Sequence, residues 1–325
     1  MQRWRGLEQL PGGWGRCVVT IGVFDGVHRG HQRLISQAVR RARQRDLPCV
    51  VVTFDPHPAE VVRPGSHPAQ LTTLQRKAEL VEELGVDVFC VLPFTPELSK
   101  MPPDEFAHEI LVERLHAAVV VVGENFTFGH KAAGNIDSLH TLGQRFGFET
   151  ESADLLGGHT DGLDREESPV TFSSTFIRSC VHAGDVGAAA VALGRYHRLE
   201  GIVVRGVGRG GRELGFPTAN LSMPEFAAVP ADGVYACWFT HRQRGATQPE
   251  STLPAAVSVG SNPTFSGTER TVEAFVLDVD RDFYGEYVEL DFVRRLRGMV
   301  RFDSAEELIE RMRADVAETR ACLLG

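Results

Sequence analysis

Four nearly continuous apolar runs, at 17–23, 49–54, 86–94 and 118–123, alternate with three segments of helical periodicity, at 32–45, 74–84 and 103–115. Runs without polar alternation are buried on both faces, so the pattern predicts a parallel sheet covered on each side by helices. Each parallel crossover needs a helix, and each helix stripe needs a sheet face, which leaves little else to fold into. Ligands collect outside the carboxyl ends of strands in such sheets. The segments at those ends are 22–31, 54–58 and 123–129, and they are expected to line one crevice.

The pattern changes after Gly194. A helical stretch at 174–194, broken near Gly184 and Asp185, leads into short β-branched or alternating runs at 199–204, 234–239, 255–259, 272–277 and 287–292. Turn residues separate them, as in an antiparallel sandwich or barrel. Asp303 or Ser304 is placed to cap a last helix ending near Leu323, and 241–252 reads as an irregular polar insertion. The expected domains are 1–195 and 196–325, and 325 residues suffice for two.

A net charge of −9 disfavours a non-specific nucleic-acid or anionic-membrane binder. The basic run of Arg40, Arg41, Arg43 and Arg45 reads as a solvated helix face more readily than as a polyanion site. Glycines at 12, 13 and 15 interrupt any leader-like apolar stretch, and no run approaches the length of a membrane span. The six cysteines form no CxxC and no metal-ligand spacing. They suit a reducing cytoplasm, which is the expected location. Oligomeric state is not legible.

The richest segment is Gly22-Val-Phe-Asp-Gly-Val-His-Arg-Gly-His31, between an apolar run and an amphipathic one. Gly22, Gly26 and Gly30 let a backbone come close to a ligand, and a helix start offers unpaired N–H groups and a positive dipole end. His28 and His31 face the same side of a helical turn and suit the α-phosphate of a nucleotide. The spacing is neither that of a Walker loop nor GxGxxG. Gly123-Glu-Asn-Phe-Thr-Phe-Gly129 offers Asn125 and two rings to a planar ligand, although Phe126 and Phe128 alone read better as core. Ser173-Ser-Thr-Phe-Ile-Arg178 opens a helix as either a second anion site or a plain capped helix.

Together these residues resemble the nucleotidyltransferase superfamily of adenylyl and cytidylyl transferases, whose HxGH turn and SSTxxR helix stand on two sides of a triphosphate. With TFDPHP at 53–58 and GENFTFG, the extended turn is similar more narrowly to the FMN adenylyltransferase module of bacterial bifunctional FAD synthetases. The second half carries its own resemblance. Glycine-rich 206–215 leads into Pro217-Thr-Ala-Asn220, similar to the metal and nucleotide motif of riboflavin kinases, and GVYA, SVGSNPTF and VEAFVLD follow in the family's order. Phe172 departs from the usual aliphatic residue before the serines, and 157–169 is longer and more acidic than usual, with the character of a mobile loop.

The resemblance implies a six-stranded β-barrel with a terminal helix for 196–325, and a bifunctional enzyme that makes FMN from riboflavin and ATP, then FAD from FMN and ATP. It implies Glu273 as the general base of the kinase and Thr218 and Asn220 as ligands of Mg²⁺. Taken alone, Glu273 between apolar strand neighbours reads as a base or as half of a salt bridge. His28, His31 and Arg178 are the implied catalytic groups of adenylyl transfer. Gly22, Asp25, Gly26, Gly30, Asn125, Ser174, Thr175, Gly208, Gly210, Phe216, Pro217, Asn262 and Arg297 are the implied nucleotide- and flavin-binding positions. Two rival readings remain: a nucleotidyltransferase for another substrate such as phosphopantetheine, which leaves PTAN and VEAFVLD unexplained, and a flavin sensor without catalysis.

Overall fold

The computed structural model describes residues 1–153, 157–158, 170–206, 216–242, 251–264 and 267–325. The chain divides into two compact units, one of Met1–Pro68 and Leu74–Ser173, the other of Ala69–Thr73 and Ser174–Gly325.

The first unit is built on a parallel sheet of β1 (Gln2–Arg5), β2 (Cys17–Ile21), β3 (Cys49–Asp55), β4 (Val88–Pro93), β5 (Ala117–Gly123) and β6 (Glu149–Ala153). The order across the sheet is β1-β4-β3-β2-β5-β6, and every pairing is parallel. The four apolar runs are the central strands. The two strands that no apolar run marks, β1 and β6, are the edges, where one side of the ladder faces no neighbour and polar residues are tolerated. Helices α1 (Arg29–Gln44), α2 (Pro58–Val62), α3 (Leu74–Glu83), α4 (Pro96–Lys100), α5 (Pro103–Glu105) and α6 (Ile136–Phe146) connect them. α5 runs on into a π-helical stretch, Phe106–Arg114, where a plain helix was expected. Alternate strand residues feed two separate cores: Val19, Val50, Cys90 and Val120 on one face, Val18, Val51, Phe89 and Val119 on the other. α1 contributes Leu34, Ile35, Ala38 and Ala42 to the second, one stripe of a 3.6-residue period.

β2 pairs with β3 on one side and β5 on the other, and the chain leaves those two neighbours in opposite directions across the sheet. That reversal opens a crevice above the end of β2. The 22–31 turn and the 123–129 loop flank it.

A two-residue ladder pairs β7 (Gly157–Gly158) with β8 (Val170–Thr171); residues 159–169, the expected mobile loop, lie outside the described residues. α7 (Ser174–Ala183) and α8 (Val186–Leu193) follow, separated as expected, with the Asp185 side chain accepting from the Ala188 N–H. The second unit closes a barrel in the order β10-β13-β12-β11-β14-β9. Its strands are β9 (His197–Val204), β10 (Ala219–Ser222), β11 (Gly233–Arg242), β12 (Ser251–Thr264), β13 (Gly267–Val276) and β14 (Tyr287–Arg297). α9 (Ala305–Leu324) ends the chain, its start capped by Ser304. The expected barrel and terminal helix are both present. Closure gives every strand of the barrel two neighbours, and Leu199, Tyr235, Val257, Val272, Leu290 and Phe292 fill the interior. Val186 of α8 packs into that same core, so the helical pair groups with the barrel, although the sequence changes character only after Gly194. Residues 69–73 join it too: Gln70 donates to the Phe226 carbonyl at 2.6 Å and accepts from Ala228 N–H at 2.8 Å.

Candidate functional site

In the first unit His28 is the N-cap of α1, its Nδ1 accepting the His31 N–H at 3.4 Å. The two imidazoles stack with centroids 3.6 Å apart, and Phe24 meets His31 edge-on at 5.2 Å. Both rings and the first turn of α1 therefore stand together, an arrangement suited to an anion. Asp25 and His28 are almost fully buried. Gly26 has φ 81°, where glycine is at ease, but Phe24 and Val27 also hold positive φ, 49° and 38°. Gly30 is a site of close approach: a Cβ there would stand 3.1 Å from the His28 ring and 3.6 Å from the Phe172 carbonyl. A Cβ on Gly22 would meet the Phe24 ring at 3.0 Å.

TFDPHP places Thr53, fully buried, with its hydroxyl donating to the Val23 carbonyl at 3.0 Å. Asp55 pairs with Arg5, and His57 caps α2. Asn125 is exposed at the end of β5. Phe126 and Phe128 stack on each other at 5.5 Å and pack with the core, as each reads when taken alone. The arginines of α1 form surface pairs, Arg41 with Glu149 and Glu151, and Arg43 with Asp87, which accords with a solvated face.

Ser174 and Thr175 open α7 in the second unit. One turn later Arg178 donates through Nε to the Ala69 carbonyl at 2.7 Å and lines a cavity with His182 and Arg270.

In the barrel, Val272, Ala274 and Val276 point inward, so Glu273 points outward and is half-buried. Alternation along β13 therefore accounts for a polar residue at 273 without any special role, which removes the sequence argument from its apolar neighbours. Position supplies a better one. Thr218 Oγ1 donates to Glu273 Oε2 at 3.2 Å, and Asn220 is the direct cross-strand partner of Glu273 on β10. Ser258 faces Glu273 from the other side on β12. Phe216 packs edge-on against Phe275, two residues along the same face, with centroids 5.2 Å apart. Pro217 is exposed beside them. The backbone at Gly206 presses so close to Asn220 that a Cβ would stand 2.5 Å from its amide nitrogen. A hydroxyl, an amide oxygen and a carboxylate converge here, a set of hard donors.

Two other positions stand apart from this group. The Arg297 guanidinium forks onto Asp315 of α9, at 2.7–3.1 Å, with Asp315 buried. Asn262 lies in β12 opposite Glu269, and its side chain is not described. Gly208 and Gly210 lie outside the described residues.

Comparison with known proteins gives two successive matches. The family model for FAD synthetase matches residues 11–164, and that for riboflavin kinase matches 193–323. A protein of Escherichia coli (strain K12) named bifunctional riboflavin kinase/FMN adenylyltransferase is 32% identical over 304 residues, covering 94% of this chain and 92% of that protein. One of the same name from Pseudomonas fluorescens is 35% identical, covering 99% and 97%. The crystal structure of a macrolide-efflux protein from Streptococcus pneumoniae superposes with a TM-score of 0.84 at 30% identity, over 98% of this chain and 99% of that one. Among the described residues of this chain no helix is long and apolar enough to cross a membrane.

Proposed function

The chain belongs to the family of bifunctional riboflavin kinase/FMN adenylyltransferases, and from that premise we propose which of its residues perform each reaction. The enzyme phosphorylates riboflavin to FMN with ATP, and adenylylates FMN with a second ATP to give FAD and pyrophosphate. The assignment gives adenylyl transfer to 1–195 and phosphorylation to 196–325.

The kinase assignment rests on the 3.2 Å contact between Thr218 and Glu273. Glu273 accepts the proton of the ribityl hydroxyl as that oxygen attacks the γ-phosphorus of ATP, and ADP leaves. Thr218 donates one proton to Glu273 and keeps lone pairs for a cation, while Asn220 presents its amide oxygen from the facing strand. These oxygens fit Mg²⁺, which keeps waters and phosphate oxygens as most of its ligands and needs no acidic cage. The described residues hold no group of three His, Cys, Asp or Glu able to bind a metal alone. Bound there, Mg²⁺ offsets phosphate charge. Phe216 and Phe275 give the site an apolar wall.

For adenylyl transfer the FMN phosphate is already anionic at neutral pH and needs no general base. His28, His31 and the N–H groups opening α1 stabilise charge on the ATP phosphates, with Asp25 and the three turn glycines shaping the approach. Ser174, Thr175 and Arg178 are assigned to phosphate binding on the resemblance of 173–178 to the SSTxxR helix, and Asn125 contacts the flavin or the transferred phosphate. The location is cytoplasmic: all six cysteines are free thiols.

Glu273→Gln tests the division. It keeps size and hydrogen bonding but removes the proton acceptor, so FMN formation falls by about 10²–10⁴-fold. FAD formation from supplied FMN persists. Near-normal kinase turnover would leave Glu273 a structural carboxylate.

A further inference from the structure

The buried face of α3 is drawn by Leu74, Lys77, Ala78 and Val81, spaced as an apolar stripe. Lys77 occupies a position in it that ordinarily holds a hydrophobe, and it is 6% exposed. An ammonium taken out of water is costly unless it is paired, so its surroundings should explain its presence. Its Nζ donates to the Val23 carbonyl at 2.7 Å. Burial pushes its pKa down, and the carboxylates of Asp25 and Asp55 pull it back up. Val23 and Asp25 lie in the 22–31 turn that follows β2, and Asp55 ends the neighbouring strand β3.

That turn is held in a conformation its own residues disfavour. Phe24, at φ 49°, and Val27, at φ 38°, both carry a Cβ in the left-handed region, and for a β-branched residue this is a true outlier. Such conformations persist only where the surroundings over-determine them, and they cluster at ligand clamps. The clamp is visible. The carbonyl entering Phe24, that of Val23, accepts from two buried donors, Lys77 Nζ and Thr53 Oγ1. The carbonyl of Val27 accepts from Gln32 Nε2 at 2.9 Å. Between these anchors the chain delivers Asp25, and just beyond them it delivers His28 at the start of α1.

We propose that Lys77 is a positioning residue for adenylyl transfer: from α3, with Thr53 from β3, it locks the Val23 carbonyl and so sets the strained turn that aims His28, His31 and the α1 amides at the nucleotide phosphates. The inference rests on the reading of the 22–31 turn as the adenylyl-transfer site. It adds two residues to that site: Lys77, which lies in no motif, and Thr53, which opens TFDPHP and had no role of its own there.

The test measures kcat for FAD formation from supplied FMN, riboflavin phosphorylation, and the thermal midpoint, in the full-length enzyme. Lys77→Met keeps the stem and removes the charge-assisted bond. Adenylyl-transfer kcat is expected to fall about 10- to 100-fold at temperatures well below the variant's midpoint, with phosphorylation within about twofold of normal. Lys77→Arg, which restores a cationic donor, recovers part of the rate. Thr53→Val, acting on the same carbonyl through a neutral donor, lowers kcat in the same direction by less. A purely structural lysine would lower the midpoint and leave kcat of the folded enzyme unchanged, and that result overturns the proposal. An equal loss of both activities overturns it as well. His28→Ala separates the two ideas. If it leaves FAD formation intact, the reading of the turn fails. If it abolishes FAD formation while Lys77→Met does not, only the role of Lys77 fails.

Discussion

Single side chains carry most of the functional contrast in this molecule. Arg178 is the clearest case outside the barrel site. Its Nε donates to the Ala69 carbonyl at 2.7 Å, which fixes the stem of a side chain built to pair with phosphate. Arg178→Ala is expected to lower FAD formation about 10- to 100-fold, the worth of one charge-assisted contact. FMN formation, followed chromatographically in the same assay, stays within about twofold. The cysteines give an opposite prediction, of inertness. Burial pushes the thiols of Cys17 and Cys90 up to about 12, and those of Cys49 and Cys237 are raised as well. A thiol held protonated is a poor nucleophile. Burial raises the half-buried Cys180 too, so iodoacetamide on the native enzyme at neutral pH should modify Cys322 first, as read by peptide mass spectrometry. At this scale the histidines, PTAN and Glu273 were legible, because a motif is a run of residue types. The roles of Lys77 and Thr53 were not: Lys77 follows Gln75 and Arg76 and reads as one more polar residue of a helix, Thr53 only opens TFDPHP, and their shared partner, the Val23 carbonyl, leaves no trace in side-chain identity.

At the scale of elements, legibility followed burial. The central strands β2 to β5 announce themselves because both faces need apolar residues, whereas β1 and β6 stand at edges and read as polar coil. β10 escaped for a different reason. It has four residues, and one of them, Asn220, faces the site, so its alternation is too short to count. The π-helical stretch was indistinguishable from an α-helix by pattern. Arg297, one of the implied nucleotide- and flavin-binding positions, is held by a contact between two elements. Its guanidinium joins the end of β14 to α9 through Asp315, which Arg311 also contacts at 3.1 Å. Removing one partner of a buried pair leaves the other without compensation. Arg297→Met is therefore expected to cost about 3 kcal/mol, the low end for such pairs because Arg311 remains. The urea midpoint of riboflavin phosphorylation should shift down, with KM for ATP nearly unchanged. A large KM effect at an unshifted midpoint would instead make Arg297 a nucleotide contact.

For the whole molecule, the two activities and the two compact units do not divide at the same residue. The riboflavin kinase match begins at 193, but the second compact unit begins at Ser174 and takes in 69–73. A fragment of 196–325 retains Thr218, Asn220 and Glu273, so it should still convert riboflavin to FMN and make no FAD. It lacks Val186 from the barrel core and both backbone bonds of Gln70, and it strips Glu200 of its 2.7 Å partner, Thr73. A fragment of 174–325 restores the first of these and should have the higher thermal midpoint, read by the loss of kinase activity on heating. Equal midpoints would mean that α7 and α8 add nothing to the barrel.

The membership of 69–73 in the second unit also bears on how the chain is made. A ribosome releases Gln70 roughly 150 residues before Phe226 and Ala228, its bonding partners. At about 5–20 residues per second, that is a delay of about 8–30 s. The sheet of the first unit is complete once β6 is released at Ala153, before either of those partners exists. The amide and carbonyl of Gln70 must therefore wait in water, an open stitch, until the barrel emerges to take them. Birth order thus ties the maturation of the kinase half to a piece of chain made long before it.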